Sequence, residues 1–140
     1  MAPPSPQASG AAVVRSYDEL PALPVVVRFP ASGGAVADLR AEAAGGPAIL
    51  VEVDLDGPDA LRHVAAAVAA HPRHRVSVVL RGPDDPDDVA DRGAWIGRLA
   101  AALDLGATVV RTPAVVPARR IAEVAARMAA ARGSGARMAT

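Results

Sequence analysis

The sequence predicts an α/β fold of four or five βα units around a mostly parallel sheet, either an open sheet or part of a TIM-type barrel. Short apolar runs rich in valine alternate with stretches of helical period along the 140 residues. The runs begin near residues 25, 48, 76 and 107, at spacings that suit a strand, a crossover helix and two loops. A complete barrel needs at least about 200 residues, so only part of one would fit.

The first half of the chain supplies two candidate strands and a helix. Residues 11–15 form a short first strand, and residues 25–29 form an apolar strand that is interrupted only by Arg28. The helix that follows ends at two consecutive glycines, a residue type that commonly terminates helices. It directs three apolar side chains inward: Val36, Leu39 and Ala43.

The second half repeats this alternation with clearer periodicity. Its candidate strands are residues 48–53, 76–80 and 108–110. The helix after the first of them carries the apolar stripe Leu61, Val64, Ala65 and Val68. The helix after the second carries Trp95, Leu99, Ala102 and Leu103. The last helix has a predicted inner stripe of Ile121, Val124, Ala125 and Met128.

One domain accounts for residues 11–132, between tails at residues 1–10 and 133–140 that are expected to be disordered. The 15 basic and 15 acidic side chains cancel, and aromatic residues make up only 2% of the chain, a composition that argues against a nucleic-acid interface. No apolar run approaches the roughly 20 residues that span a bilayer, and the start of the chain lacks the features of a signal peptide. The sequence therefore predicts a cytoplasmic protein without nucleic-acid or membrane partners.

The residue types missing from the chain exclude several kinds of chemistry. There is no cysteine, so disulfides, thiolate nucleophiles and thiolate metal sites cannot form. There is also no lysine and no asparagine, and arginine cannot replace a Schiff-base amine. The three histidines, His63, His71 and His74, match no zinc-binding spacing. We therefore expect no metal site and no cofactor, and we favour a protein that is not an enzyme.

Polar side chains collect at the predicted carboxyl ends of the strands. In parallel sheets these ends meet at one edge, where ligands bind in open α/β folds. The side chains at these ends are Arg28, Asp54, Asp56, Arg81, Arg111 and Thr112. Three guanidinium groups on one rim favour a small anionic ligand such as a phosphate or a carboxylate. The alternative is that these residues pair with one another and cap loops.

Asp54 and Asp56 keep a catalytic alternative open. Their spacing looks like the nucleophile motif of haloacid-dehalogenase phosphatases, although Pro58 replaces the usual threonine and that family's lysine cannot occur here. In a small enzyme acting on an anionic substrate, one of these aspartates would serve as acid, base or nucleophile. The arginines of the rim would then hold the substrate.

Residues 101–128, AALDLGATVVRTPAVVPARRIAEVAARM, resemble the last βα unit of dihydropteroate synthases and related pterin-binding barrels. The likeness rests on the Gly106-Ala107 step, the strand that follows it, Arg111 and Val115. It implies a barrel-type βα unit in which Arg111 contributes to an anion site. Proline and alanine stand at 113 and 114, where the family has a histidine and an aspartate, so the resemblance implies a catalytically silent relative.

Three functional hypotheses follow from these observations. The leading one is a non-catalytic, dihydropteroate synthase-like domain that acts as a binding or partner subunit, either as a homodimer or with a larger protein. The second is the small enzyme with Asp54 or Asp56 at its centre. The third is a purely structural α/β domain whose strand ends bind nothing.

Overall fold

The structure, a computed structural model, describes residues 10–30 and 49–138. Within these ranges five strands form one sheet and three α-helices pack against it. The strands are β1 (Ala12–Val14), β2 (Val25–Phe29), β3 (Ile49–Asp54), β4 (Arg75–Val79) and β5 (Val109–Arg111). The helices are α1 (Ala60–Ala70), α2 (Val89–Leu105) and α3 (Val115–Met138), and a short 3-10 helix spans Tyr17–Glu19. The predicted α/β class is confirmed; the expected helix through Val36, Leu39 and Ala43 lies outside the described residues.

The strand order is β1-β5-β4-β3-β2, and every neighbouring pair is parallel. Strands β2 to β5 therefore lie side by side in chain order, and β1 adds to the far side of β5. Because right-handed crossovers between strands in such an order fall on the same side, their helices share one face of the sheet. In the described part of the chain the sheet is open, with β1 and β2 at its edges.

The helix-covered face holds the main hydrophobic core. Alternate strand residues such as Val51, Val53 and Val78 point toward the helices, where they meet Trp95 and Leu99 of α2. Each side chain of this size that is fully buried stabilises the fold by roughly 1.5–3 kcal/mol relative to leaving it exposed. The helices contribute many alanines to this core, and these small side chains let the helix backbones lie close to the sheet: Ala60, Ala67, Ala102, Ala118 and Ala122.

The buried side of α3 differs from the predicted stripe. The sequence favours Val124 and Met128 as inner residues, but these side chains are 52% and 56% exposed. The residues that face the core are instead Val115, Ala118 and Ala122. Ile121 of the predicted stripe does pack against the core, but the prediction was wrong for Val124 and Met128, because α3 packs mainly through smaller residues one turn of the helix nearer its start. The helix also continues to Met138, beyond residue 132, where the domain was expected to end.

The opposite face of the sheet has a smaller apolar cluster. Val14, Leu20, Leu50 and Val109 are buried there, and Tyr17 lies against them. The 3-10 helix that brings Tyr17 to this face begins with a capping box. Ser16 accepts a hydrogen bond from the backbone N–H of Asp18, and the Glu19 carboxylate accepts from the backbone N–H of Ser16 at 3.0 Å. The backbone N–H groups of Ser16 and Arg15, which both donate to the Glu19 carboxylate, lower the pKa of Glu19 from its usual value.

Candidate functional site

A polar cluster surrounds Glu52, which lies in the middle of β3 on the face away from the helices. The Glu52 residue is only 7% exposed. The Tyr17 hydroxyl donates a hydrogen bond to Glu52 Oε2 and lies 3.0 Å from Ser77 Oγ. Arg28 Nε lies 3.8 Å from Glu52 Oε1, and Arg111 Nη2 lies 3.5 Å from Glu52 Oε2. We call these five residues the Glu52 cluster.

The register of the parallel sheet brings the cluster together. Arg28 of β2 is directly opposite Glu52, and Glu52 is directly opposite Ser77 of β4. Neighbouring strands lie about 4.8 Å apart and successive side chains point to opposite faces, so these three side chains stand in one row on one face. Arg111 of β5 is opposite Val79, two residues nearer the carboxyl ends than the row of Glu52 and Ser77, and its long side chain reaches back to Glu52.

Tyr17 acts as a hydrogen-bond donor within the cluster. Burial, and to a smaller extent the neighbouring Glu52 carboxylate, raise the pKa of Tyr17 to about 12. The phenol is therefore protonated at neutral pH. The Arg111 guanidinium carbon lies 5.1 Å from the centroid of the Tyr17 ring, a cation–π distance that fixes the arginine over the ring.

The charges of the Glu52 cluster do not balance. Two guanidinium groups, those of Arg28 and Arg111, face the single carboxylate of Glu52. Arg111 Nε is buried and has no hydrogen-bond partner among the described residues. A buried donor without a partner costs roughly 1–3 kcal/mol. The cluster therefore has an excess positive charge and one buried N–H group without a partner among the described residues.

A second group of charges lies at the carboxyl ends of the strands. Asp56 Oδ2 accepts a hydrogen bond from the backbone N–H of Arg81 at 2.8 Å. Arg81 Nε and Arg98 Nη1 each lie 3.7 Å from an oxygen of Asp56. These three residues, the Asp56 cluster, border a polar depression of about 100 Å³ that Asp84 and Asp91 also line. Its acidic side chains outnumber its arginines.

The predicted rim of the sheet is thus divided. Arg28 and Arg111 belong to the Glu52 cluster, whereas Asp56 and Arg81 belong to the Asp56 cluster. The Asp54 carboxylate accepts from the backbone N–H of Asp56 at 3.0 Å and closes the turn after β3. Thr112 is buried, and its hydroxyl accepts from the backbone N–H of residue 114 just before α3.

Several residues of these clusters were not predicted from the sequence. Glu52 is the clearest case, although a signal was present, because it is the one charged residue within the apolar run ILVEV that precedes Asp54 in β3. A charged residue in such a run is rarely buried unless it is paired. Tyr17, Ser77 and Arg98 gave no comparable signal, since their roles depend on which strands and helices are neighbours.

The three histidines take part in contacts between rings. His63 and His71 make edge contacts with the Phe29 ring, at centroid distances of 6.5 and 6.1 Å. No group of three histidine, aspartate or glutamate side chains in residues 10–30 and 49–138 is arranged to hold a metal ion. None of the helices in these ranges is both long and apolar enough to cross a membrane.

Comparison with known proteins assigns no role to the residues of either cluster, so their function is inferred from their own chemistry. No protein-family model matches the chain, and no curated protein matches it either.

Proposed function

We propose that this chain is a cytoplasmic, non-catalytic α/β domain that binds a small oxyanion, a phosphate or a carboxylate, at the Glu52 cluster and serves as a binding or partner subunit. One observation carries this proposal: two arginines, one exposed and one partly exposed, converge on a single buried carboxylate. An anion beside these two guanidinium groups would balance the charge.

The two arginines would contribute to anion binding in different ways. The Arg28 side chain is 85% exposed, and its Nε lies 3.8 Å from Glu52 Oε1. An exposed guanidinium group can form the paired hydrogen bonds that arginines make with carboxylates and phosphates. Arg111 is held over Tyr17 and against Glu52, so less of its conformational entropy would be lost on binding.

The chemistry of the cluster favours binding over catalysis. The Tyr17 phenol remains protonated at neutral pH, and both oxygens of Glu52 lie close to arginines. A general base needs a free oxygen within reach of the proton that it removes. The absence of lysine, cysteine and asparagine removes further candidates for acid, base or nucleophile.

The resemblance of residues 101–128 to pterin-binding barrels supports the same position for the anion. Arg111 is the residue that matches the arginine of that family's anion site. We therefore propose that the chain is a dihydropteroate synthase-like domain in which the anion-binding arginine is retained and the catalytic residues are absent. Formation of dihydropteroate from a pterin diphosphate and p-aminobenzoate by the purified protein would contradict this.

Thermal unfolding with added anions tests the proposal. Inorganic phosphate, p-aminobenzoate and a pterin are the probes, and a ligand at 100 times its Kd should stabilise the native state by about 2.7 kcal/mol. We expect Arg28→Gln to weaken this stabilisation and Arg111→Ala to abolish it.

Arg75→Gln is the matched control, because Arg75 is an exposed arginine on the same face at the opposite end of the sheet. Removing the charge of Arg75 should leave the stabilisation by the added anion unchanged. No stabilisation by any of the three probes would contradict the proposal. Equal loss of the ligand's stabilising effect in Arg28→Gln and Arg75→Gln would also contradict it, because anion binding would then depend only on the overall charge of the protein.

A further inference from the structure

The outer surface of the helix layer carries an apolar groove. It lies between α2 and α3, has a volume of about 530 Å³ and is separate from both charged clusters. Its floor and walls are formed by large aliphatic side chains: Ile96, Leu103, Ile121, Val124 and Met128. Three of these are substantially exposed in the single chain, at 40% for Ile96, 52% for Val124 and 56% for Met128. Contiguous exposed apolar surface of this kind marks interaction sites.

The two ends of the groove carry different charges. At one end the Arg132 guanidinium lies 2.9 Å from Asp104 Oδ1. At the other end is Arg120, which is twelve residues earlier on α3 and therefore about 18 Å away along the helix. Asp104 Oδ2 makes no hydrogen bond within the part of the chain that the structure describes. One end of the groove thus has a carboxylate oxygen that makes no hydrogen bond to the described residues, and the other end has a guanidinium group.

We propose that the α2–α3 groove is a self-association surface and that its occupant is a second copy of this chain. A two-fold axis through the middle of the groove reverses the direction of the second copy. Arg120 of each copy then faces Asp104 of the other, and the aliphatic side chains at the centre meet one another. Such self-complementarity is what a two-fold interface requires. The net charge of zero adds no overall repulsion between copies.

The size of the surface sets the strength of association. The 17 residues of α2 are about 25 Å long, and two adjacent helices present a face roughly 20 Å wide, on the order of 500 Å² per copy. The interface would bury about 1,000 Å² in total, near the lower limit for a specific contact. We therefore expect a weak dimer, whose population increases with protein concentration.

Sedimentation velocity over a concentration series is the direct test. The mean mass should rise from the 14.1 kDa of one chain toward twice that value as the concentration increases. Val124→Glu should keep the protein monomeric throughout, since it places two like charges near the two-fold axis. Val116→Glu is the matched control, because Val116 is on the same helix and 58% exposed but does not line the groove.

A charge exchange tests the proposed orientation. Arg120→Asp and Asp104→Arg should each weaken association, and the double variant should restore it. A wild-type chain that stays monomeric at every concentration would overturn the proposal, as would equal effects of Val124→Glu and Val116→Glu. Anion binding depends on other residues, so either proposal can fail without the other.

Discussion

The two faces of the sheet use alternate residues of the same strands for different purposes. On the helix side, Val51 and Val53 of β3 are buried in an apolar core. On the other side, Glu52 between them is also buried but is surrounded by a phenol and two guanidinium groups. The apolar face is stabilised by its packing contacts, whereas the polar face has two guanidinium groups for one carboxylate and, among the described residues, a buried donor without a partner. A single strand can therefore supply both the stability of the fold and a candidate binding site.

Truncation of a core residue should produce the largest effect. Leu99→Ala removes a fully buried side chain from α2 and leaves a cavity under the sheet, so we expect the free energy of unfolding to fall by about 2–5 kcal/mol. Urea unfolding, followed by the fluorescence of Trp95, the single tryptophan, measures this free energy. The control is Val89→Ala, at the exposed first residue of the same helix, which should change the free energy of unfolding by no more than about 0.5 kcal/mol. Similar losses in the two variants would refute this description of the core.

Removing the charge of Glu52 should have a smaller effect. Glu52→Gln keeps the size of the side chain but deprives the half-buried Arg111 of its counter-ion, and we expect a loss of about 1–3 kcal/mol. The control is Asp54→Asn at the exposed end of the same strand, where the side-chain oxygen can still accept from residue 56. An unfolding free energy for Glu52→Gln that equals or exceeds the wild-type value would mean that the cluster does not stabilise the fold.

The smallest expected effect concerns Tyr17 and alkaline pH. The raised pKa means that the folded protein keeps the phenol protonated above the ordinary value of 10.0, up to about 12. Stability from this group is fully present below pH 10 and falls as the pH rises from 10 to 12. Because Tyr17 is the only tyrosine, tyrosinate absorbance reports its titration directly.

The same titration links Tyr17 to Glu52. In Glu52→Gln the midpoint should move from about 12 toward 10.0 but remain raised, because burial is the larger cause of the shift. Tyr17→Phe should abolish the alkaline step in stability and cost about 1 kcal/mol at neutral pH through the lost hydrogen bond. A wild-type midpoint at 10.0 would show that the phenol is not enclosed as described.

Much of the fold could be predicted from local sequence patterns. Residues 25–29 have the predicted strand bounds, and β3, β4 and β5 each differ from the prediction by one residue. These strands are runs of β-branched residues with turn-forming residues nearby, so the signal is local. The inner side of α3 was missed because alanine at 118 and 122 packs against the sheet, while size alone favours Val124 and Met128.

The candidate site was only partly predictable for a different reason. The rule that strand ends meet at one edge correctly brought Arg28 and Arg111 together. It could not show that both would turn toward Glu52, since that depends on the pleat, the register and the strand order. Tyr17 is distant in sequence from β3 and approaches Glu52 only because β1 lies next to β5.

The position of β1 also has a consequence for how the protein is made. Val13 pairs with Val110, 97 residues later, so β1 is synthesised well before β5, the strand that it pairs with in the described sheet. Contacts between such distant segments slow folding. Tyr17 follows directly after β1, and Arg111 is the last residue of β5. A nascent chain that ends before β5 therefore has Arg28 and Glu52 but cannot assemble the cluster, and anion binding would report that the sheet is complete.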